Sequence, residues 1–112
     1  MQVFIMEQDD NKRDSFAIRQ SDVIYNVVLA ASVEKTVTVP SGANIAIFAS
    51  TGNFYCRFNA TVAVPVADVV TGLAGEINPT SRVVTGVSTV HVVAPADCIL
   101  SISFYKVNRA IA

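Results

Sequence analysis

The stretch that decides the fold is Cys98-Ile-Leu-Ser-Ile-Ser-Phe-Tyr105. Cys98, Leu100, Ile102 and Phe104 fall in one phase, and Ile99, Ser101, Ser103 and Tyr105 in the other. A period of two places the first set on one face of a pleated strand and the second on the opposite face. Working backwards, Ala94-Pro-Ala-Asp97 is a turn, and before it Val90 and Val92 alternate with Thr89 and His91. The run Ser32-Val-Glu-Lys-Thr-Val-Thr-Val39 puts Val33, Val37 and Val39 on one face, with Glu34, Thr36 and Thr38 on the other. Pro40-Ser-Gly42 interrupts, and Asn44 to Ser50 resumes with Ile45, Ile47 and Ala49 in phase. After Thr51-Gly-Asn53, a returning strand Phe54-Tyr-Cys-Arg-Phe58 points Phe54, Cys56 and Phe58 inward.

Composition agrees with this pattern. Among the 112 residues are 19 valines, nine isoleucines and eight threonines, against only three leucines. Such β-branched side chains suit strands better than helices. Turn signals every eight to twelve residues, with no sustained helical period, predict a single antiparallel β-sandwich of jelly-roll type. Its core is expected over residues 22–105, after an N-terminal arm and charged loop (1–21) and before a C-terminal tail (106–112). Asp22 to Ala30 is apolar on both faces, which fits a strand covered on both sides or lying in a subunit contact. Asn59 to Arg82, with Pro65, Gly72, Gly75 and Pro79, reads as a long excursion between sheets with one helical turn. Gln2 to Met6 is a candidate strand and Glu7 to Asp14 a solvated loop.

Charge narrows the function classes. Charged residues make up 15% of the chain, net charge is -1, and eight of the 17 lie within the first 22 positions. No basic stripe exists to neutralise phosphates, so direct nucleic-acid binding is not expected. No apolar run approaches the ~20 residues of a membrane-spanning helix, and Met1 to Met6 is too short for a secretory signal. At 52% hydrophobic, the chain folds rather than staying disordered. From Thr36 onward, Ser, Thr and Asn carry most of the surface polarity. Such groups are easier to desolvate than Lys or Glu, as in the centres of protein interfaces. A Val/Thr-rich domain with an ordinary uncharged surface has the same composition.

No constellation of catalytic residues emerges, and no catalytic residue, cofactor or metal is expected. His91, the single histidine, lies out of phase with the core and faces solvent or a partner. Cys56 and Cys98 sit on inward positions and are expected as free thiols packed like small hydrophobes. Asp9, Asp10 and Asp14 lack the glycine and the ligand spacing of a calcium loop, and Lys12 and Arg13 interrupt them. Asp68, Glu76 and Asp97 fall in turns and form no recognisable acid pair. Tyr55 and Tyr105 face away from the core by phase and are the aromatics placed to meet a partner. Composition and phase therefore nominate Val3, Phe4 and Ile5 as a docking arm, and Tyr55, Arg57 and Arg82 as polar contacts.

The segments Thr36-Val-Thr-Val-Pro-Ser-Gly-Ala43, Thr51-Gly-Asn-Phe-Tyr-Cys-Arg-Phe58, Ala63-Val-Pro-Val-Ala-Asp68, Glu76-Ile-Asn-Pro79 with Arg82, and Ser101-Ile-Ser-Phe-Tyr105 come in an order of their own. That order resembles small virion proteins of tailed bacteriophages, including those that decorate or cement the capsid. The resemblance spans Ser32 to Lys106 and rests on strand and turn motifs. It implies a β-sandwich assembled in the bacterial cytoplasm and bound to the major capsid protein on the capsid exterior. It further implies a homo-oligomer, dimer or trimer, without catalysis. Two alternatives remain open at this point. One is a tail, fibre or baseplate component binding a host glycan through Tyr55, Arg57 and Tyr105. The other is a small hydrolase using Glu76 or Asp68.

Overall fold

The computed structural model describes residues 1–8 and 10–107, so Asp9 and the end of the expected C-terminal tail lie outside the described residues. The strands are β1 (Met6–Gln8), β2 (Asp14–Ile18), β3 (Ile24–Leu29), β4 (Lys35–Thr38), β5 (Ile45–Ser50), β6 (Tyr55–Phe58), β7 (Glu76–Ile77), β8 (Ser81–Val83), β9 (Thr89–Val93) and β10 (Cys98–Tyr105). No helix occurs among the described residues. β3 to β10 form two four-stranded sheets, ordered β3-β10-β5-β8 and β4-β9-β6-β7, while β1 and β2 make a separate hairpin.

The pairing scheme explains the topology. β3 pairs with β10, β4 with β9, β5 with β8 and β6 with β7, all antiparallel. The strands thus pair first with last, as one long hairpin whose tip is the segment between β6 and β7. Rolling that hairpin brings β5 against β10 and β6 against β9, which completes the two sheets. This is the wound arrangement of a jelly roll, as the turn spacing predicts.

The core lies between the sheets. Leu100, Ile102 and Phe104 of β10 are fully buried, as the alternation in that strand requires. They meet Leu29, Ala46 and Phe48 from their own sheet and Val37, Cys56, Val90 and Val92 from the other. Each large aliphatic or aromatic side chain buried there contributes roughly 1.5–3 kcal/mol. Across the open edge, Arg82 of β8 donates through Nε to Glu76 Oε1 of β7 (2.9 Å) and through Nη2 to Glu76 Oε2, linking one sheet to the other. Both partners are largely exposed, so the pair adds little stability by itself.

Several expectations need correction. In β5 the buried residues are Ala46 and Phe48, not Ile45, Ile47 and Ala49. The run Ile45-Ala-Ile-Phe48 has no internal alternation, so its partner decides: Ala46 and Phe48 lie opposite Phe104 and Ile102, whose side chains face the core. Val33 is exposed, because the backbone turns at Ser32, whose φ is 60°, before β4 begins. The excursion Asn59 to Arg82 holds no helical turn and instead contributes β7 and the start of β8. Glu7 to Asp14 is not a plain loop, since it joins and partly forms the β1-β2 hairpin.

The N-terminal arm lies on its own chain. Val3 bridges Lys106 in parallel, Phe4 N–H donates to Lys106 O (2.8 Å), and Lys106 N–H donates to Gln2 O (3.1 Å). Asp22 Oδ1 accepts the Gln2 N–H at 2.7 Å, and this bond holds the Asp22 carboxyl below its ordinary pKa. Tyr105 is consequently buried rather than free to meet a partner. Its ring meets Phe4 edge-on at 5.5 Å, and its hydroxyl donates to Arg19 O at 2.7 Å. Alternation does place Tyr105 on the outer face of its sheet, but the arm covers that face.

Candidate functional site

The outer face of the second sheet carries the polar residues singled out from sequence. Tyr55 and Arg57 of β6 lie beside Val93 and His91 of β9, in register. His91 Nε2 is 3.1 Å from Thr89 Oγ1, while Nδ1 is 3.4 Å from both Thr36 Oγ1 and Glu34 Oε1. The ring is therefore held between the Thr89 hydroxyl at Nε2 and the Thr36 hydroxyl and Glu34 carboxylate at Nδ1. Arg57 is half-buried, and its guanidinium has no hydrogen-bond or ion-pair partner among the described residues.

The hairpin tip crosses this face. Asn59 turns the chain out of β6 in the left-handed region (φ 59°), which Asn tolerates better than most residues. Its Oδ1 accepts the N–H groups of Ser88 (2.9 Å) and Thr89 (3.1 Å). Val62 is buried, and its N–H donates to Glu34 Oε2 at 2.6 Å. At the returning end, a Cβ on Gly75 would lie 2.5 Å from Val62 Cγ2 and 3.3 Å from Tyr55 Cβ. Only glycine fits there without a shift. Gly75→Ala is expected to destabilise the protein by about 1–3 kcal/mol through overpacking, read as a lower denaturation midpoint. An unchanged midpoint would mean that Val62 does not pack there.

Between its two fixed ends the tip is apolar and open to solvent. Val66 and Val70 are almost fully exposed at 101% and 89%, Leu73 at 63%, and Val69 is also exposed. Asp68 is the single charged residue from Asn59 to Gly75. The tip and Arg57 enclose a cleft of about 440 Å³. Connecting segments are ordinarily polar, so several exposed valines and a leucine in one segment stand out from the rest of the surface. A second apolar area lies on the outer face of the first sheet, where Val28 and Ile99 pair across β3 and β10 and both are exposed. The molecule exposes 7175 Å², about a fifth more than the size scaling gives for this mass.

Other candidate groups are committed elsewhere. Arg82 is held by Glu76, whose carboxyl that guanidinium keeps below its usual range. Cys56 and Cys98 are buried and unbridged. Burial, reinforced by the charge of Glu76, pushes the Cys56 thiol to about 12, far from the range of a reactive thiolate. Of the docking arm, Val3 and Phe4 are engaged with Lys106 and Tyr105, and Ile5 is exposed. No group of three or more His, Cys, Asp or Glu side chains converges among the described residues.

Glu34 gives the tip a pH dependence. The Val62 N–H, with a smaller contribution from His91, holds its carboxyl below the ordinary glutamate value. A carboxyl depressed in the folded state stabilises the protein above its unfolded pKa of ~4.3 and loses that contribution as pH falls through the folded value. The anchor of the tip is expected to weaken in acid, as the Glu34 carboxylate is protonated. The amide-exchange protection of Val62 should be high at neutral pH and lower in acid, and Glu34→Gln should lower it at neutral pH but not in acid, where both side chains are uncharged. Equal protection of Val62 in wild type and Glu34→Gln at neutral pH would show that the carboxylate does not anchor the tip.

Comparison with known protein families, curated proteins and solved structures gives no match to this chain, so its similarity to other proteins adds nothing to what the geometry says.

Proposed function

We propose that this chain is a non-catalytic structural protein of a tailed-phage particle, which binds and stabilises the outer surface of the capsid by contact with the major capsid protein. The observation that carries this reading is the hairpin tip, where Val66, Val69, Val70 and Leu73 are exposed on a segment fixed at both ends. An apolar projection on a stiff sandwich suits insertion between subunits of a protein shell, where area and rigidity matter more than reactive groups. Its low charge lets it be desolvated at little cost. The segment belongs to the region that resembles small virion proteins.

The host-glycan reading draws less support. It needs aromatic platforms, and Tyr105 is buried beneath Phe4. A hydrolase reading is weakened by the pairing of Glu76 with Arg82.

The test is to add the purified protein to phage shells that lack it and to sediment them. Saturable co-sedimentation is expected, and it should survive about 0.5 M salt, because an apolar contact is not screened as ion pairs are. Failure to bind such shells would refute the proposal.

A further inference from the structure

Four strands form the edges of the two sheets, and three of them are blunted. β7 has two residues, β8 has three and carries Arg82, and β4 carries Lys35. Short length and charge are the usual protections of an edge. β3 differs. Its sequence Ile24-Tyr-Asn-Val-Val-Leu29 is six residues long, without charge, proline or bulge, and it pairs regularly with β10 along its whole length. One of its free-side groups, the Val28 carbonyl, is reached by Lys35 Nζ from β4, and the remaining length of this apolar edge is a template for another strand.

We propose that β3 is a self-association strand, through which two copies of this chain pair antiparallel about a two-fold axis at Asn26, joining their first sheets into one. This goes beyond shell binding and is independent of it.

The register follows from the backbone. Phe104 N–H donates to Val23 O at 3.0 Å, so the odd-numbered residues of this segment bond to β10 and the even-numbered residues turn their N–H and C=O to the free side. Lys35 Nζ reaches Val28 O at 2.5 Å, as that phase requires. In an antiparallel pair centred on Asn26, Ile24 lies opposite the partner's Val28, and Asn26 lies opposite the partner's Asn26. Every free-side group is then matched, with about six hydrogen bonds across the axis. The second lone pair of the Val28 carbonyl lets Lys35 remain bound.

Side chains agree with this register. On the outer face, Val28 and the partner's Ile24 become neighbours beside Ile99, and all three types are exposed in the single chain. On the inner face, Tyr25, itself edge-on to Phe104 at 5.3 Å, meets the partner's Val27. No like charges meet anywhere along the strand.

The test uses the full chain in solution by light scattering, with two variants. The wild type should show twice the 11.9 kDa chain mass at micromolar concentration. Asn26→Pro removes an N–H that faces away from β10, so the sandwich should keep its melting transition while the dimer weakens at least about tenfold. Asn26→Cys places two thiols on the axis, where the Cα separation of a hydrogen-bonded pair, ~5.5 Å, suits a disulfide. Mild oxidation should then give a covalent dimer, since Cys56 and Cys98 are buried. A monomer at all concentrations, a trimer, a dimer indifferent to Asn26→Pro, or an Asn26→Cys variant that does not cross-link would each overturn the proposal.

Discussion

Replacing Val66, Val70 and Leu73 together by Asp is expected to abolish binding to the capsid while leaving the sandwich intact. Each of these side chains gains ~1–2 kcal/mol if it passes from solvent into an apolar contact. Each Asp would instead have to be desolvated. Losing the apolar contribution alone amounts to ~3–6 kcal/mol, or roughly a hundredfold to ten-thousandfold in affinity. In the free protein the same positions are exposed, so the denaturation midpoint should stay within about 0.5 kcal/mol of wild type. Co-sedimentation with shells measures the first effect and chemical denaturation the second. Undiminished binding by a folded triple variant would move the contact surface away from the hairpin tip.

Phe104→Ala should have the largest effect on stability. The ring is fully buried, packs edge-on against Tyr25, and stands in register with Ala46. Ala46 is too small to fill the space that truncation leaves. Removal of a buried Phe costs about 3–5 kcal/mol, a large fraction of the 5–15 kcal/mol of a typical domain. Ile99→Ala in the same strand, on the outer face, should cost under about 1 kcal/mol in the monomer. The contrast is a register test, because a slip of one residue would exchange the two outcomes. Urea titrations of both variants at equal m-value give the answer, and a milder effect for Phe104→Ala than for Ile99→Ala would contradict the placement of β10.

How much of this could be read beforehand depended on which physical signal each segment carries. β10 and β9 alternate between apolar and polar residues except at Ile99 and Val93, so their inward faces were legible as far as Tyr105. β5 was not, because Ile45-Ala-Ile-Phe48 is apolar in both phases and only the register with β10 separates them. Tyr105 shows a different limit. Its phase was right, but a long-range contact with Phe4 buries it, and nothing local in either segment announces that contact.

The polar residues fared unevenly for related reasons. Tyr55 and Arg57 lie on the outer face of β6, as alternation placed them, and His91 stands beside them. Arg82 was nominated as an exposed cation, and its commitment to Glu76 depends on a turn that joins two sheets. The hairpin tip carried the functional reading, yet none of its apolar residues was nominated and only Asp68 was named, for the hydrolase alternative. Val66, Val69, Val70 and Leu73 stand at i, i+3, i+4 and i+7, the spacing of an apolar helical stripe. Gly72 and Gly75 oppose a helix there and none forms, so local spacing alone did not reveal that these side chains stay exposed.

The central claim is that the chain is a shell component, and the copy number per particle tests it most directly. Quantitative mass spectrometry of purified virions gives the ratio of this chain to the major capsid protein. A decoration protein seated at repeated joints should be present at a ratio comparable to the shell protein. A handful of copies per particle, or none, would contradict that account. A low count would place the chain in the tail or a fibre, with the half-buried Arg57 beside the hairpin tip as the next feature to probe.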